Sequence, residues 1–361
     1  MRILFFGTYD VTAHPRVAVL IEGLRAHFED VEERNIPLDI GTSQRISAVS
    51  SPRSLPAFAA RVISAWRRLL RAASGMPGPD VVVVGYLGHF DVLLARARFR
   101  RATIVLDYLI SGVSTSADRG IGSPLVRRVL VALDRAALSA ADIVIVDTNE
   151  RLEELPAAKR PDAVVVPVGA TQAWFREPKP GDASRLSVIF FGLFTPLQGT
   201  VTIGRALADL ADDPIDVTMI GTGQEYDASR AAAESNPNID WIEWLSGAEL
   251  LDIVARHDVC LGIVGSTPKG RRVVPTKAFQ GAAAGCLVVT SDTKPQRRAF
   301  GETARYVAPG DHADLAAMLR SIAVDSTLLE ARWRSYRLAA DRFTPPKVVE
   351  PLVEALKRRS R

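Results

Sequence analysis

A short basic loop runs directly into a predicted helix and carries the side chains best suited to binding an anion. Lys269, Arg271 and Arg272 precede this helix, Thr276 is its predicted N-cap, and Lys277 follows. Bare backbone N–H groups at a helix start, together with clustered cations, form a site for a phosphate-bearing ligand. The same residues would also suit an exposed basic loop without a ligand, and this alternative stays open.

Glycine-containing turns follow three predicted strands, and they supply the candidate binding residues Gly7, Thr8, Gly192, Gly221 and Gly223. In open α/β sheets, ligands bind outside the carboxyl ends of the strands, and glycine lets the backbone approach them closely. One such turn is a weak signal, because ordinary strand-to-helix turns also use glycine. Several such turns together are a stronger signal of a binding site, because they should converge at one sheet edge.

One carboxylate of the first half lies at a predicted strand end. Asp107 follows the apolar strand 103–106, where it could orient a bound ligand or cap the following turn. His14 and His89 are lesser candidates. Arg16, near the start of the first helix, could meet an anionic group, although its position is more typical of a solvated charge.

The composition restricts the classes of partner. The chain has 361 residues, enough for two domains, with 47% hydrophobic and 24% charged residues. A net charge of +4 suits anionic small molecules or an anionic membrane surface. Because there is no aromatic-and-basic RNA motif and no zinc-finger spacing, we expect no nucleic-acid partner.

Compartment is indicated by cysteine usage and by the chain's first residues. Cys260 and Cys286 fall in predicted core strands and are expected to be buried, reduced thiols. The first residues lack the flanks of a signal peptide, and no apolar run reaches the length of a membrane span. We therefore expect a cytoplasmic protein. Peripheral contact with the inner face of the membrane is a further possibility that the sequence leaves open.

Strands and helices alternate along the whole chain, which predicts an α/β fold with two doubly wound sheets. The predicted domains are residues 1–170 and 186–343, joined by a linker at 171–185. A C-terminal helix within 344–361 is expected to cross back to the first domain. Segments 41–57 and 111–123 are predicted to be loops.

The predicted helix 55–72 is amphipathic and basic. It carries Trp66 among its apolar residues and has arginines elsewhere around it. Such a helix can lie on an anionic membrane, but a helix packed on its own sheet has the same apolar stripe. Packing on the sheet is favoured, since amphipathicity is the default for surface helices.

Taken together, the motifs resemble retaining GT-B glycosyltransferases of family 4, in a bacterial branch. The matching segments are residues 5–7, 141–146, 166–169, 191–199, 220–223 and 277–289. The resemblance implies two Rossmann-like domains facing across a cleft, with a nucleotide-sugar on the second and an acceptor on the first. It implies neither a metal nor a cofactor, because the nucleotide-sugar is a substrate. Trp244, Leu245, Thr276 and Gln280 join the glycines as candidate donor-binding residues.

The chain departs from the family at charged positions. The paired acids of the family fall on Arg272 and Gln280, and its diphosphate-binding cations fall on Leu193 and Gln198. Gln280 can still hydrogen-bond ribose hydroxyls, whereas Arg272 cannot accept a hydrogen bond. We expect the basic loop, with Lys277, to replace the missing cations, so that Lys277 and Asp107 are the candidate catalytic residues and Arg272 binds the donor.

The leading interpretation is a hexosyltransferase-type glycosyltransferase that moves a sugar from a nucleotide-sugar to a sugar, lipid-linked or small-molecule acceptor. A nucleotide-sugar epimerase of the same architecture is a second possibility, although it needs several carboxylates and histidines around the sugar. The substitutions at Arg272 and Gln280 leave a third, a nucleotide-sugar-binding protein with weakened catalysis.

Overall fold

The computed structural model describes residues 1–11, 14–38, 55–109, 124–182 and 184–359. The predicted loop 111–123 lies outside these ranges, as does 41–57 except for its last residues, 55–57, which belong to a helix. Within the described ranges, no helix combines the length and hydropathy of a membrane-spanning segment.

Two compact units divide the chain. Unit 1 comprises Met1–Val166 and Val349–Arg361, and unit 2 comprises Pro167–Val348. Residues 171–185, predicted to be a linker, lie in unit 2. There the Arg176 amide donates to the Ala283 carbonyl oxygen at 2.9 Å.

Unit 1 contains a six-stranded sheet in the order β2-β1-β3-β4-β5-β6, and its pairings are parallel. The strands are β1 Arg2–Gly7, β2 Asp30–Asn35, β3 Val81–Val84, β4 Thr103–Asp107, β5 Ile143–Val146 and β6 Ala163–Val165. Because the order runs outward from β1 in both directions, right-handed crossovers place helices on both faces.

Unit 2 repeats this architecture in the order β12-β11-β10-β7-β8-β9, again with parallel pairings. The strands are β7 Leu186–Phe191, β8 Ile215–Ile220, β9 Ile239–Ile242, β10 Val259–Leu261, β11 Leu287–Ser291 and β12 Arg305–Val307. The predicted α/β class with two Rossmann-like doubly wound sheets is confirmed. All strands of a unit end at the same edge, so each unit has one carboxyl edge.

The α-helices lie between these strands and at the end of the chain. In unit 1 they begin with α1 Pro15–His27, α2 Leu55–Ala72, α3 Asp91–Arg98, α4 Pro124–Ala140 and α5 Asn149–Glu154. The later helices are α6 Thr200–Ala208, α7 Tyr226–Ala232, α8 Gly247–Val254, α9 Thr276–Ala283, α10 Lys294–Phe300, α11 His312–Ala323, α12 Leu328–Arg342, α13 Pro345–Val348 and α14 Glu350–Arg359. Helix α14 belongs to unit 1, where Arg359 Nη1 donates to the Asp142 carbonyl oxygen at 2.9 Å.

Strand β2 was not predicted from the sequence. Its residues Asp30–Asn35 are all half-buried and mostly charged, and they lie at the margin of the unit 1 sheet. Sequence patterns reveal buried strands through apolar runs such as Val81–Val84, and a charged marginal strand has no such run.

Helix α2 packs its apolar stripe on the unit 1 sheet, as the favoured interpretation predicted. Phe58, Val62 and Leu69 are buried, and Trp66 Nε1 donates to Asp91 Oδ1 at 2.8 Å. The indole is therefore held inside unit 1. Burying a large apolar side chain stabilises a fold by roughly 1.5–3 kcal/mol, which fixes the orientation of this helix.

The N-cap of helix α9 lies one residue earlier than predicted. Pro275, with extended backbone, occupies the N-cap position, and Thr276 is the first helical residue. The prediction that Thr276 is the N-cap is therefore wrong. The predicted left-handed glycine after the helix is confirmed, because Gly285 has φ of 81° and follows the C-cap Ala284.

A buried arginine fixes the opposite, amino edge of the unit 2 sheet. Arg332 of α12 is 2% exposed and donates from Nη1 to Asp258 Oδ1 at 2.5 Å. It also donates to the carbonyl oxygens of Gly285, Lys179 and His257 at 2.9, 2.9 and 3.3 Å. One guanidinium therefore ties together α12, the end of α9, strand β10 and the segment before β7.

Candidate functional site

The turns after β7 and β8 pack against each other at the carboxyl edge of the unit 2 sheet. The Gly192 amide donates to the Ile220 carbonyl oxygen at 2.9 Å, and Gly192, Gly221 and Gly223 have φ values of 136°, 124° and 156°. A Cβ atom added at Gly221 would lie 2.0 Å from the Gly192 carbonyl oxygen. Only glycine fits such contacts and dihedrals, so these turns are built for close backbone approach.

A second glycine pair joins the first turn to the basic loop. Gly199 has φ of 73°, and a Cβ atom added there would lie 2.4 Å from the Gly265 amide nitrogen. The Val264 amide donates to the Gln198 carbonyl oxygen at 3.1 Å. The loop that follows β10 is therefore anchored to the turn that precedes α6.

Lys277 projects from the first turn of α9 to the Gly192 turn. Its Nζ atom lies 3.5 Å from the centre of the Phe190 ring, and a Cβ atom added at Gly192 would lie 3.3 Å from it. The side chain is 5% exposed, and Nζ has no hydrogen-bond partner. Burial lowers the pKa of this ammonium to about 7, partly offset by the nearby Cys260 thiol.

The position of Lys277 bears on one expectation from the resemblance. Leu193 and Gln198, where the resemblance placed diphosphate-binding cations, are uncharged, and Leu193 is 61% exposed beside Gly192. A different element, α9, brings a lysine to the same turn. The sequence pointed to Lys277 as a replacement cation, but the ring of Phe190 beneath it gave no signal.

The remaining members of the basic loop do not share this environment. Arg271 and Arg272 are exposed in the short 3-10 helix Gly270–Arg272, and Lys269 is half-buried. The predicted cluster of four cations is therefore divided between one buried ammonium and a more accessible group. On α9, Thr276 is half-buried, and Gln280, one turn further along, is 7% exposed.

An exposed aromatic side chain follows β9 at the same carboxyl edge. Trp244 is 76% exposed, whereas its neighbour Leu245 is half-buried. An indole in this position offers a flat apolar face on which a ring system can stack. Both residues were candidates for donor binding, and that role stays a prediction.

The candidates in unit 1 make contacts inside their own unit. The Thr8 amide and hydroxyl donate to Asp91 Oδ2 at 2.7 and 2.8 Å, and a Cβ atom added at Gly7 would lie 3.2 Å from the same oxygen. Asp91 lies at the start of α3 and also accepts from Trp66. No local sequence pattern links Thr8 to Asp91, because 83 residues separate them.

Asp107 is engaged in a buried ion pair. Arg16 Nε donates to Asp107 Oδ1 and Oδ2 at 2.9 and 3.0 Å, and the Asp107 side chain is 0% exposed. Arg16, for which a solvated position was favoured, is 3% exposed, so that expectation is wrong. The apolar packing that desolvates Asp107 raises the pKa of its carboxyl, and Arg16 opposes this shift.

A second carboxylate belongs to this network. Asp147, which follows β5, is 8% exposed, and its Oδ1 atom has no hydrogen-bond partner. Burial raises the pKa of Asp147 to about 6 despite the nearby Arg16 and Arg151. Nothing in the sequence around Asp147 indicates that Arg16 lies close by.

The rings of the two histidine candidates contact aromatic side chains of unit 1. The His14 ring lies 4.1 Å from the Tyr86 ring, and the His89 ring lies 5.3 Å from that of Tyr108. His89 Nε2 also lies 3.3 Å from Asp134 Oδ1. Over the part of the chain that the structure describes, no group of three His, Cys, Asp or Glu side chains could hold a metal ion.

Comparison with known proteins extends this description. Residues 203–344 match a family model described as glycosyl transferase-like. No curated protein matches the chain.

Solved structures show the fold over the whole chain. Sucrose-phosphate synthase (tll1590) from Thermosynechococcus elongatus has a TM-score of 0.73 at 15% identity, covering 100% of this chain and 99% of that one. Anabaena Alr3699/HepE, solved with UDP and glucose, has a TM-score of 0.70 at 14% identity, covering 99% and 100%. A putative UDP-N-acetylglucosamine 2-epimerase from Listeria monocytogenes has a TM-score of 0.58 at 13% identity, covering 99% and 96%. The chain therefore has the GT-B fold, which by itself does not separate transferase from epimerase.

Proposed function

We propose that the protein is a glycosyltransferase that moves a sugar from a nucleotide-sugar to an acceptor. The observation that carries this proposal is the buried, unpartnered Lys277 Nζ beside Gly192, at the carboxyl edge where the glycine turns after β7 and β8 approach each other closely. A diphosphate would supply the hydrogen-bond acceptors and the charge that this ammonium lacks.

The chemistry of sugar transfer gives such a cation a role. The bond between the sugar carbon and the diphosphate oxygen breaks, and the diphosphate leaves with the electron pair. The acceptor hydroxyl oxygen bonds the sugar carbon, and its O–H bond breaks as its proton passes to the leaving diphosphate. Negative charge develops on the leaving oxygen, and a fixed cation in a dry environment stabilises it strongly. A phosphate next to Nζ also raises the pKa of Lys277, which keeps the side chain protonated.

The comparisons support the same proposal. The glycosyl transferase-like family model covers α9 and the turns after β8 and β9. HepE has the same fold and was solved with UDP and glucose, which is consistent with a nucleotide-sugar donor here. The exposed face of Trp244 is suited to stacking with the base of that donor.

Several finer assignments belong to the proposal. We assign the chain to retaining family 4, with hexosyl transfer, without a metal or other cofactor, and in the cytoplasm. The buried, unpaired thiols of Cys260 and Cys286 are consistent with a reducing compartment. Gln280 and Arg272 stand where the family has acids, and we assign Gln280 to hydrogen bonding with donor hydroxyls. The acceptor is a sugar, a lipid-linked glycan or a small molecule bound by unit 1.

Donor binding and turnover test the proposal together. The thermal midpoint of the protein is measured with UDP-, GDP- and dTDP-sugars and with the matching free sugars, and nucleotide release is followed with and without acceptors. We expect one nucleotide-sugar to raise the midpoint and to release its nucleotide in the presence of an acceptor. Indifference to every nucleotide-sugar would contradict the proposal.

A pair of lysine variants assigns the binding to the carboxyl edge. Lys277→Met keeps most of the length of the side chain and removes its charge, and we expect it to weaken donor affinity by about 10- to 100-fold. Lys179→Met is the matched control, because Lys179 is exposed and its carbonyl oxygen is bonded by Arg332 at the amino edge. Equal donor affinities in the two variants would show that Lys277 does not bind the donor.

The two alternative functions predict different products in the same assay. An epimerase would convert the sugar of the intact nucleotide-sugar without any acceptor. A binding protein would be stabilised by the donor and release no nucleotide with any acceptor.

A further inference from the structure

One face of unit 1 is covered by a continuous layer of three helices, α2, α3 and α4. Residues from all three pack into a single hydrophobic core with alternate residues of the strands, and examples are Leu69, Ala73, Val92, Ala95, Ala137 and Leu138. The hydrogen bond from Trp66 to Asp91 joins α2 to α3. The opposite sides of these helices therefore form one outer surface, which we call the helix layer.

The outer surface of the helix layer is rich in arginine. On α2, the side opposite the buried stripe presents the exposed residues Arg61, Arg67, Arg68 and Arg71. On α4, the exposed side presents Arg127, Arg128 and Arg135. Among the residues that the structure describes, none of these seven arginines pairs with a carboxylate.

Acidic residues are buried beneath this surface. Helix α2 has none, and the acids of α3 and α4, Asp91 and Asp134, are 4% and 7% exposed. The exposed arginines of α2 and α4 therefore have no exposed carboxylate on the three helices of the layer to balance them. Because like charges on one surface repel, such a concentration is stabilised by an anionic partner.

Two aliphatic side chains are exposed among the arginines. Ile63 on α2 is 45% exposed, and Val129 on α4 is 50% exposed. The aromatic residues of α2 point the other way, with Phe58 buried and Trp66 bonded to Asp91. Within its described residues, the helix layer thus offers cations and aliphatic groups but no exposed aromatic ring.

We propose that the helix layer binds the surface of an anionic phospholipid membrane. Guanidinium groups pair with lipid phosphates in a bidentate manner, and exposed aliphatic side chains enter the boundary between headgroups and acyl chains. A single-stranded nucleic acid is the less suited partner, because its bases stack on aromatic rings that this surface lacks. The contact uses the face opposite the Trp66 stripe, and it is independent of donor chemistry in unit 2.

Vesicle binding without any nucleotide tests the proposal. The full chain is sedimented with vesicles of phosphatidylcholine alone or mixed with phosphatidylglycerol, at about 0.05 M and about 0.5 M NaCl. We expect binding only to the vesicles that contain phosphatidylglycerol, and a strong loss of binding at the higher salt concentration. Equal binding to both kinds of vesicle, or to neither, would overturn the proposal.

Charge variants locate the contact. The variant Arg67→Gln, Arg68→Gln, Arg128→Gln, Arg135→Gln should lower vesicle affinity on the order of 100-fold, while its thermal midpoint stays near that of the wild type. The matched control removes the same charge from exposed arginines of unit 2, namely Arg205→Gln, Arg256→Gln, Arg334→Gln and Arg337→Gln. If the control loses as much affinity, the attraction is one of net charge and the helix layer is not the site.

The aliphatic residues distinguish a membrane from a nucleic acid. Ile63→Ser with Val129→Ser should weaken vesicle binding several-fold and make the remaining binding more sensitive to salt. Binding of single-stranded DNA or RNA is measured in parallel. If nucleic acid binds as tightly as the vesicles and the serine variant has no effect on either, the membrane assignment is wrong.

Discussion

The ammonium group of Lys277 lies 3.5 Å from the centre of the Phe190 ring, in an environment that lowers the pKa of this lysine to about 7. The aromatic face attracts the charge, but it replaces only part of the hydration that burial removes. An anion bound next to this ammonium would therefore compensate for the hydration that burial removes.

The titration of Lys277 should be visible in stability. Between about pH 7 and the usual lysine pKa of 10.5, the unfolded chain binds a proton that the folded chain does not. The free energy of unfolding therefore rises with pH across this window, with a slope of up to about 1.4 kcal/mol per pH unit. Urea unfolding of wild type and Lys277→Met at several pH values checks this. The extra slope should vanish in the variant, and parallel curves would show that Lys277 does not titrate there.

Substitution at the interlocked glycine turns should damage the unit 2 edge. A Cβ atom at Gly221 would meet the Gly192 carbonyl oxygen at 2.0 Å, and φ is 124°. We expect Gly221→Ala to lower the free energy of unfolding by about 2–4 kcal/mol and to weaken nucleotide-sugar binding. Gly247→Ala is the control, since a Cβ atom there would have no neighbour within 4 Å. Similar losses in both variants would contradict the close approach described for Gly221.

The buried arginine at the amino edge should be a major source of stability. Arg332→Met leaves Asp258 buried and uncompensated, so we expect a loss of about 3–5 kcal/mol in chemical unfolding. Arg334→Met, on the same helix, breaks only an exposed pair with Glu330 and should cost about 0.5 kcal/mol or less. A small effect of Arg332→Met would mean that water replaces its contacts.

Asp147 should make unit 1 less stable as its carboxyl ionises. Its pKa is raised to about 6 from a usual 3.8, so between these values the folded chain holds a proton that the unfolded chain has lost. Stability contributed by this group falls as pH rises through that window. Asp147→Asn should therefore be more stable than wild type at pH 7, by up to about 3 kcal/mol, and equal to it near pH 4. The exposed Asp240→Asn serves as the control, and a stability gain that is the same at all pH values would refute ionisation as its cause.

The exposed indole after β9 should matter for ligand and not for folding. Trp244 is 76% exposed, so Trp244→Ser should change the free energy of unfolding by less than about 0.5 kcal/mol. If the donor base stacks on it, affinity falls by about 10-fold. Val324→Ser, which removes another exposed apolar side chain in unit 2, should leave affinity unchanged. Calorimetry with the best donor from the thermal-shift series makes the comparison, and an unchanged affinity for Trp244→Ser would exclude stacking.

The parts of the fold that were predicted from sequence are those with strong local signals. Val81–Val84 and Leu287–Ser291 are buried, largely apolar runs. The apolar stripe of helix α2 predicted both ends of that helix correctly. Local signals did not reveal β2, because a charged strand at the margin has no apolar run. They also misplaced the cap of α9, where extended Pro275 competes with Thr276 for the N-cap position.

The candidate site was predictable only in part, for a similar reason. Gly192, Gly221 and Gly223 could be located because each follows an apolar strand, and parallel strands end at one edge. The burial of Lys277 against Phe190, and the pairing of Arg16 with Asp107, arise between residues far apart in sequence. Side-chain environments of this kind depend on packing, which a single sequence does not display.

Strand β2 has a consequence for the way copies of the chain meet. Charged side chains stand on both of its faces, Glu32 and Arg34 on one and Glu33 on the other, and the side chain of Arg34 donates to Glu32. A foreign strand that tried to extend the sheet there would have to strip water from these ionic groups. Among the strands that the structure describes, this margin of the sheet therefore disfavours fibril-like growth by addition of further chains.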